Sequence, residues 1–205
     1  MKTRALRLLA RLSGSLAIPP EAGRVACPLL HVSDTPSVFY PDLARLLAAV
    51  RPRFVVHTGD LADEVKIRSG VLDRALYERK ARVLLEILEA SGAARVFLLM
   101  GNHDDPATVR GLARRAEVLE GCALLDLDGV RIAAAHRPED LWDHAAELNL
   151  YGHDTSVLPP DADGRLYLNG NVKIRVIDLE TREVVSIDYP RSVHDARQRK
   201  RKIGL

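Results

Sequence analysis

The sequence predicts an α/β domain, with a parallel sheet and crossover helices in its first half and paired strands in its second. Three short apolar runs, VACPLLHVSD, FVVHTGD and RVFLLMGNHDD, alternate with segments of helical period. That alternation is the signature of a parallel sheet. Beyond about residue 120, short strand-like runs follow one another with turn residues between them, which reads as antiparallel pairing. The chain has 205 residues, 47% of them hydrophobic and 28% charged, enough to bury one core and stay solvated. Aromatics at 4% leave that core to Leu, Val, Ala and Ile.

The elements read in order as follows. MKTRALRLLARLSGSLA is a basic amphipathic helix with Leu8, Leu9, Leu12 and Leu16 partly on one face. Arg11 interrupts its apolar stretch, which argues against a signal peptide, and no apolar run reaches the ~18 residues of a spanning helix. SGSLAIPPEAG is turn-rich and ends that helix. The first strand then stops at Ser33-Asp34. PDLARLLAAVRP is a helix with Pro41 at its start and Pro52 past its end. The second strand stops at Gly59-Asp60. A long helix covers about residues 72–90 and closes at Ser91-Gly92. The third strand ends in Gly-Asn-His-Asp, and a helix is expected over about 106–117. CALLDLDG and VRIAAAH pair as a hairpin about Asp128-Gly129. LNLYGHD is another short run. The segment from Arg165 to Tyr189 alternates, with turns at Asn169-Gly170 and Glu180-Thr181. This divides the chain into a basic N-terminal helix and linker (1–24), a domain (25–190) and a basic C-terminal tail (191–205).

Charge and cysteine usage exclude several classes. Thirty basic against twenty-eight acidic residues give a net charge of +2, which does not mark a dedicated nucleic-acid binder. Cys27 and Cys122 are the only cysteines, too few for a disulfide framework or a cysteine-based zinc site. A reducing, cytoplasmic location fits them.

Polar residues with metal-binding chemistry stand where the apolar runs end. Asp34, Asp60 and Asn102 end the first three, His136 ends VRIAAAH and His153 ends LNLYGH. In open α/β sheets, ligands collect at the carboxyl ends of parallel strands. Carboxylate and amide oxygens with imidazole nitrogens suit Mn, Zn, Fe or Co. Gly59, Gly101 and Gly152 each precede a candidate, where a sharp turn and close backbone approach are needed. A single aspartate after a strand is more often a cap or turn former; five polar strand ends together point to a site. His31 and His57 lie inside strands, three residues before Asp34 and Asp60, and read as structural.

The series HVSD, HTGDLAD, GNHDD, AAAH and YGHD resembles the calcineurin-like metallophosphoesterases from Leu29 to about Tyr189. The short chain and its LYLNGNV segment are similar to the small bacterial phosphodiesterase branch. The resemblance implies an α/β/β/α sandwich, two facing mixed β-sheets flanked by helices, that hydrolyses phosphomonoesters or phosphodiesters at a divalent metal centre. It also implies roles. Asp60 would bridge two metals. Asn102, His136 and His153 would complete one metal's ligands, and Asp34 would serve the other. His103 would act on the leaving group with Asp63 as its carboxylate partner.

Two positions depart from the family pattern. Asp-x-His is here Asp34-Thr35-Pro36, and Gly-His-x-His is Gly152-His153-Asp154-Thr155. Both absent histidines serve the same metal in the family. The expectation is one tight transition-metal site and a second that is weak or empty, unless Asp104, Asp105 or Asp154 supplies an oxygen. The function expected is a metal-dependent phosphoesterase acting on a phosphate ester. The alternative is a non-catalytic binding or scaffold module on the same fold. Nucleic-acid binding through the basic tail, with Arg191, Arg197, Arg199, Lys200, Arg201 and Lys202, is a third class; a solvated tail is its plainer reading. Arg137, next to His136, either meets phosphate or serves the surface.

Overall fold

Hydrophobic runs buried on both faces organise the molecule. The computed structural model describes residues 14–65 and 73–202. Among the described residues ten strands form two sheets: β1 (Pro28–Val32), β2 (Phe54–His57), β3 (Arg95–Leu99), β4 (Glu117–Leu119), β5 (Ala123–Leu127), β6 (Val130–Ala134), β7 (Leu148–Tyr151), β8 (Leu166–Asn169), β9 (Ile174–Asp178) and β10 (Val184–Ile187). The first sheet runs β10-β9-β1-β2-β3-β4 and the second β5-β6-β7-β8. The architecture is the expected one, two mixed sheets flanked by helices.

In the first sheet β1, β2, β3 and β4 are parallel, and β9 and β10 are antiparallel additions. The second half meets the antiparallel expectation in part. β5 and β6 form the expected hairpin and β9 and β10 pair antiparallel about Glu180-Thr181, but β6, β7 and β8 are mutually parallel. The hairpin turn has Asp128 at φ 52° and Gly129 at φ 81°, the two positive φ values of a type I′ turn. At Asn169-Gly170 the chain passes from the second sheet to the first, so that turn closes no hairpin.

Alternation along each strand sorts side chains between two cores. Leu29, Phe54, Val56, Phe97 and Leu99 face Ile132, Ala134, Leu148 and Leu150 between the sheets. Burial of each large side chain there contributes about 1.5–3 kcal/mol. Leu30, Val32, Val55 and Leu98 face the helices. Helix α1 (Tyr40–Val50) buries Leu43, Leu46, Leu47 and Val50, one stripe at helical spacing. Helix α2 (Arg74–Glu89) starts on Asp73, whose carboxylate accepts the Leu76 N–H at 3.0 Å. It buries Tyr77, Ala81, Leu84, Leu85 and Leu88.

Helix α3 (Pro106–Leu112) is shorter than its sequence suggested. The Glu89 carboxylate accepts the N–H groups of Arg114, Arg115 and Ala116. That draws the chain out of the helix and into β4.

Residues 191–202, expected as a solvated tail, form helix α4 (Arg191–Lys202), with Val193 fully buried. Residues 1–13 of the expected N-terminal helix lie outside the described residues. Residues 14–17, also expected in it, are not helical: Leu16 is buried in the core, and its N–H bonds the Asp42 carboxylate at 3.1 Å. A 3-10 turn covers Pro20–Arg24. Among the described residues no helix is long and apolar enough to cross a membrane.

Candidate functional site

The carboxyl ends of β1, β2, β3, β6 and β7 meet at one rim of the sandwich. Asp34 follows β1, Asp60 follows β2, Asn102 follows β3, His136 follows β6 and His153 follows β7. Asp34, Asp60 and His136 are buried and each offers an atom within 4.8 Å of the others. His136 Nε2 lies 3.0 Å from Asn102 Oδ1, 3.1 Å from His153 Nδ1 and 3.7 Å from Asp60 Oδ1. All five expected donors are therefore gathered.

The backbone is shaped to gather them. Asp34, Asp60 and His153 have φ of 50°, 56° and 70°, in the left-handed region that non-glycine residues seldom adopt. Strain of this kind collects at functional sites. A β-carbon on Gly101 would stand 2.2 Å from Asp60 Oδ1, and one on Gly152 would stand 1.9 Å from Ser33 Oγ. Both positions need hydrogen there.

The donor set fits a divalent cation. His136 Nδ1 is 2.7 Å from the Thr58 carbonyl oxygen, which can only accept, so Nδ1 carries the proton. In the neutral ring Nε2 then presents a lone pair, a common arrangement for a ligating histidine. It faces the lone pairs of Asn102 Oδ1, beside two carboxylates. Such a convergence of acceptors suits a cation. Burial first, and then the neighbouring His136 and Arg137, lower the pKa of His153, which favours its neutral form.

Surrounding residues hold the donors. Asp34 Oδ2 accepts from Ser33 Oγ at 2.6 Å and from the His153 N–H at 3.1 Å. Asp60 Oδ1 accepts the His103 N–H at 3.1 Å. His103 is half-buried and Asp63 buried; the Asp63 N–H bonds the Thr35 carbonyl at 3.4 Å.

The three possible substitute ligands have other partners. Asp104 accepts the N–H groups of Asp60, Leu61 and Gly101 and the Tyr77 hydroxyl. Burial, then the charge of Asp60, raise its pKa to about 6. Asp105 accepts from Thr108 and pairs with Arg74. Asp154 Oδ1 accepts from Ser156. Pro36 is buried and begins a 3-10 turn over Ser37–Phe39; Thr155 is exposed.

Sequence reading passed over Ser33, Thr58 and Tyr77. His57, expected to be structural, is buried against Thr35 Oγ1 at 2.8 Å. Arg197, expected in a solvated tail, reaches the Asp34 turn. No local pattern announces these contacts.

The fold and rim together define a family. The calcineurin-like phosphoesterase profile matches residues 27–197, and the chain belongs to that family. Among solved structures it is similar to YfcE, a phosphoesterase from E. coli, with 18% identity and a TM-score of 0.52. That likeness covers 80% of this chain and 99% of the other, and it concerns the fold. No curated protein sequence matches.

Proposed function

We propose that the protein is a metal-dependent phosphoesterase. The observation that carries the reading is the meeting of His136 Nε2 with Asn102 Oδ1 at 3.0 Å and His153 Nδ1 at 3.1 Å, with Asp60 and Asp34 beside them. Asp60, Asn102, His136 and His153 would hold one transition metal tightly. Asp34, with the shared Asp60, would hold a second weakly. Bound cations would neutralise phosphate oxygens and acidify the attacking water.

The remaining roles fall to this chain's own groups. His103, beside Asn102, meets the leaving-group oxygen and donates a proton to it from the protonated ring. Asp63 orients that ring and raises its basicity. Arg137, exposed beside the rim, contacts the phosphate of the ester.

A second reading, a binding module on the same fold, draws on Pro36 and Thr155. The first supplies no side-chain ligand and the second stands exposed. Hydrolysis of bis(p-nitrophenyl) phosphate and p-nitrophenyl phosphate with added Mn²⁺ separates the two. The phosphoesterase reading expects turnover that needs Mn²⁺ and disappears in His136→Ala. Stoichiometric Mn²⁺ binding without turnover of either ester would favour the binding module.

A further inference from the structure

We infer that Arg197, on the C-terminal helix, is a positioning residue for Asp34 and makes α4 part of the site. Asp34 sits just past β1, in a left-handed conformation that a non-glycine residue keeps only where its surroundings hold it. On the β2 side the turn is held by backbone bonds, Asp34 N–H to Gly59 O at 2.9 Å and Thr35 N–H to Asp60 O at 3.1 Å. On the other side pairing of β1 with β9 ends at His31 opposite Arg175, so the next carbonyls lack a strand partner.

Arg197 supplies what the strand does not. Its Nη2 donates to Ser33 O at 2.9 Å, its Nε to Asp34 O at 2.9 Å and its Nη1 to Asn171 O at 2.7 Å. The guanidinium carbon lies 4.3 Å from the centroid of the Tyr189 ring, which fixes the plane of the fork. Tyr189 is itself anchored, its hydroxyl donating to Gly170 O at 2.7 Å. Val193, one turn earlier on α4, is buried in the helix-side core and sets the helix in place.

The fork thus fixes both peptide carbonyls that flank the Asp34 side chain. That side chain matters to the site twice. Its carboxylate belongs to the cluster with Asp60 and His136, and its Oδ2 accepts the His153 N–H. Release of the turn would displace one donor and loosen another. A lysine cannot replace the fork, because one ammonium on a flexible stem does not meet three carbonyls in a fixed plane.

The inference rests on the metal reading, and its test separates the two. Mn²⁺ affinity is measured by the loss of the free-ion paramagnetic resonance signal, on full-length protein at a temperature where circular dichroism shows each variant folded. Arg197→Ala should weaken Mn²⁺ binding about tenfold or more, the usual effect of losing an outer support of a ligand. Arg197→Lys should not restore it. Arg191→Ala, at the exposed start of α4, should bind like the parent. If Arg197→Ala fails to fold, Arg197→Lys and Arg197→Gln carry the same comparison. Folded variants that bind Mn²⁺ like the parent would overturn the inference alone. Full recovery in Arg197→Lys would overturn the fork and leave only charge. A parent that takes up no Mn²⁺ would overturn the metal reading and this inference with it.

Discussion

The imidazole of His57 bonds the hydroxyl of Thr35 at 2.8 Å and so ties the turn after β1 to the turn after β2. The Gly59 N–H donates to His57 Nδ1 at 3.2 Å, so the ring proton is on Nε2 and is given to Thr35. The Thr35 hydroxyl in turn donates to Leu61 O at 3.2 Å. Burial first, then the nearby His136 and Arg197, lower the pKa of this ring to about 3.

That neutral ring gives stability a pH dependence of definite sign. Above pH 6.5 His57 is uncharged whether the chain is folded or not, and its contribution is complete. Between 6.5 and about 3 the unfolded chain takes up a proton that the folded chain refuses. Stability therefore falls as pH falls, by about 2 kcal/mol between pH 7 and 5 from this residue. His31, buried with its pKa also lowered by desolvation, adds in the same direction. Urea midpoints at pH 7 and pH 5 should differ less in His57→Asn than in the parent; equal differences would refute the account.

Glycine is required at the rim by contact with the donors. In Gly101→Ala the new carbon meets Asp60 Oδ1 at 2.2 Å and the Asp60 backbone nitrogen at 2.5 Å. The expected cost is about 1–3 kcal/mol, together with weaker Mn²⁺ binding. Gly111→Ala, in helix α3 with open space around it, should stabilise by about 0.5–1 kcal/mol. Thermal melts that leave Gly101→Ala level with the parent would contradict this.

Loss of a donor should remove metal and thermal stabilisation together. A ligand at a hundred times its Kd stabilises the folded state by about 2.7 kcal/mol. Asn102→Ala and His153→Ala should lose most of that gain, seen as a smaller Mn²⁺-induced rise in Tm and a lower metal content by elemental analysis. Variants that bind and melt like the parent would remove both residues from the proposed ligand set.

Restoring the two absent imidazoles should raise metal stoichiometry toward two. Pro36→His with Thr155→His supplies both to the position served by Asp34 and Asp60. Each single change should do less. Pro36 starts the 3-10 turn over Ser37–Phe39 with φ −71°, so its replacement should also lower Tm modestly. Two tightly held metals in the unmodified protein would defeat the expectation of a weak second site.

The parallel half of the fold and the five polar residues gathered at the rim are legible because each is a local pattern, an apolar run ending in Asp, Asn or His. The rest depended on distant contacts. The expected helix over 106–117 stops at Leu112 because Glu89, from another helix, takes three of its N–H groups. Asp104 looked like a spare ligand because sequence does not reveal which backbone groups converge on a carboxylate. Arg197 reads as one cation in a basic run, and its partners Ser33 O and Asp34 O lie more than 160 residues away. Parallel pairing of β6, β7 and β8 followed from a return path over the surface, on which alternation is silent.

The rim draws Asp34, Asp60 and Asn102 from one sheet and His136 and His153 from the other, and among the described residues no strand ladder joins the two. A ligand gripped by both groups therefore acts as a further cross-link between halves of the molecule, added to their apolar contact and to bonds such as His136 Nδ1 with Thr58 O and His153 N–H with Asp34 Oδ2. Its free energy of binding resists separation of the whole sandwich and is not confined to one turn. In the language of hydrogen exchange, loading the rim would merge β6 and β7 with β1, β2 and β3 into one cooperative opening unit, so that amides far from any donor register its arrival.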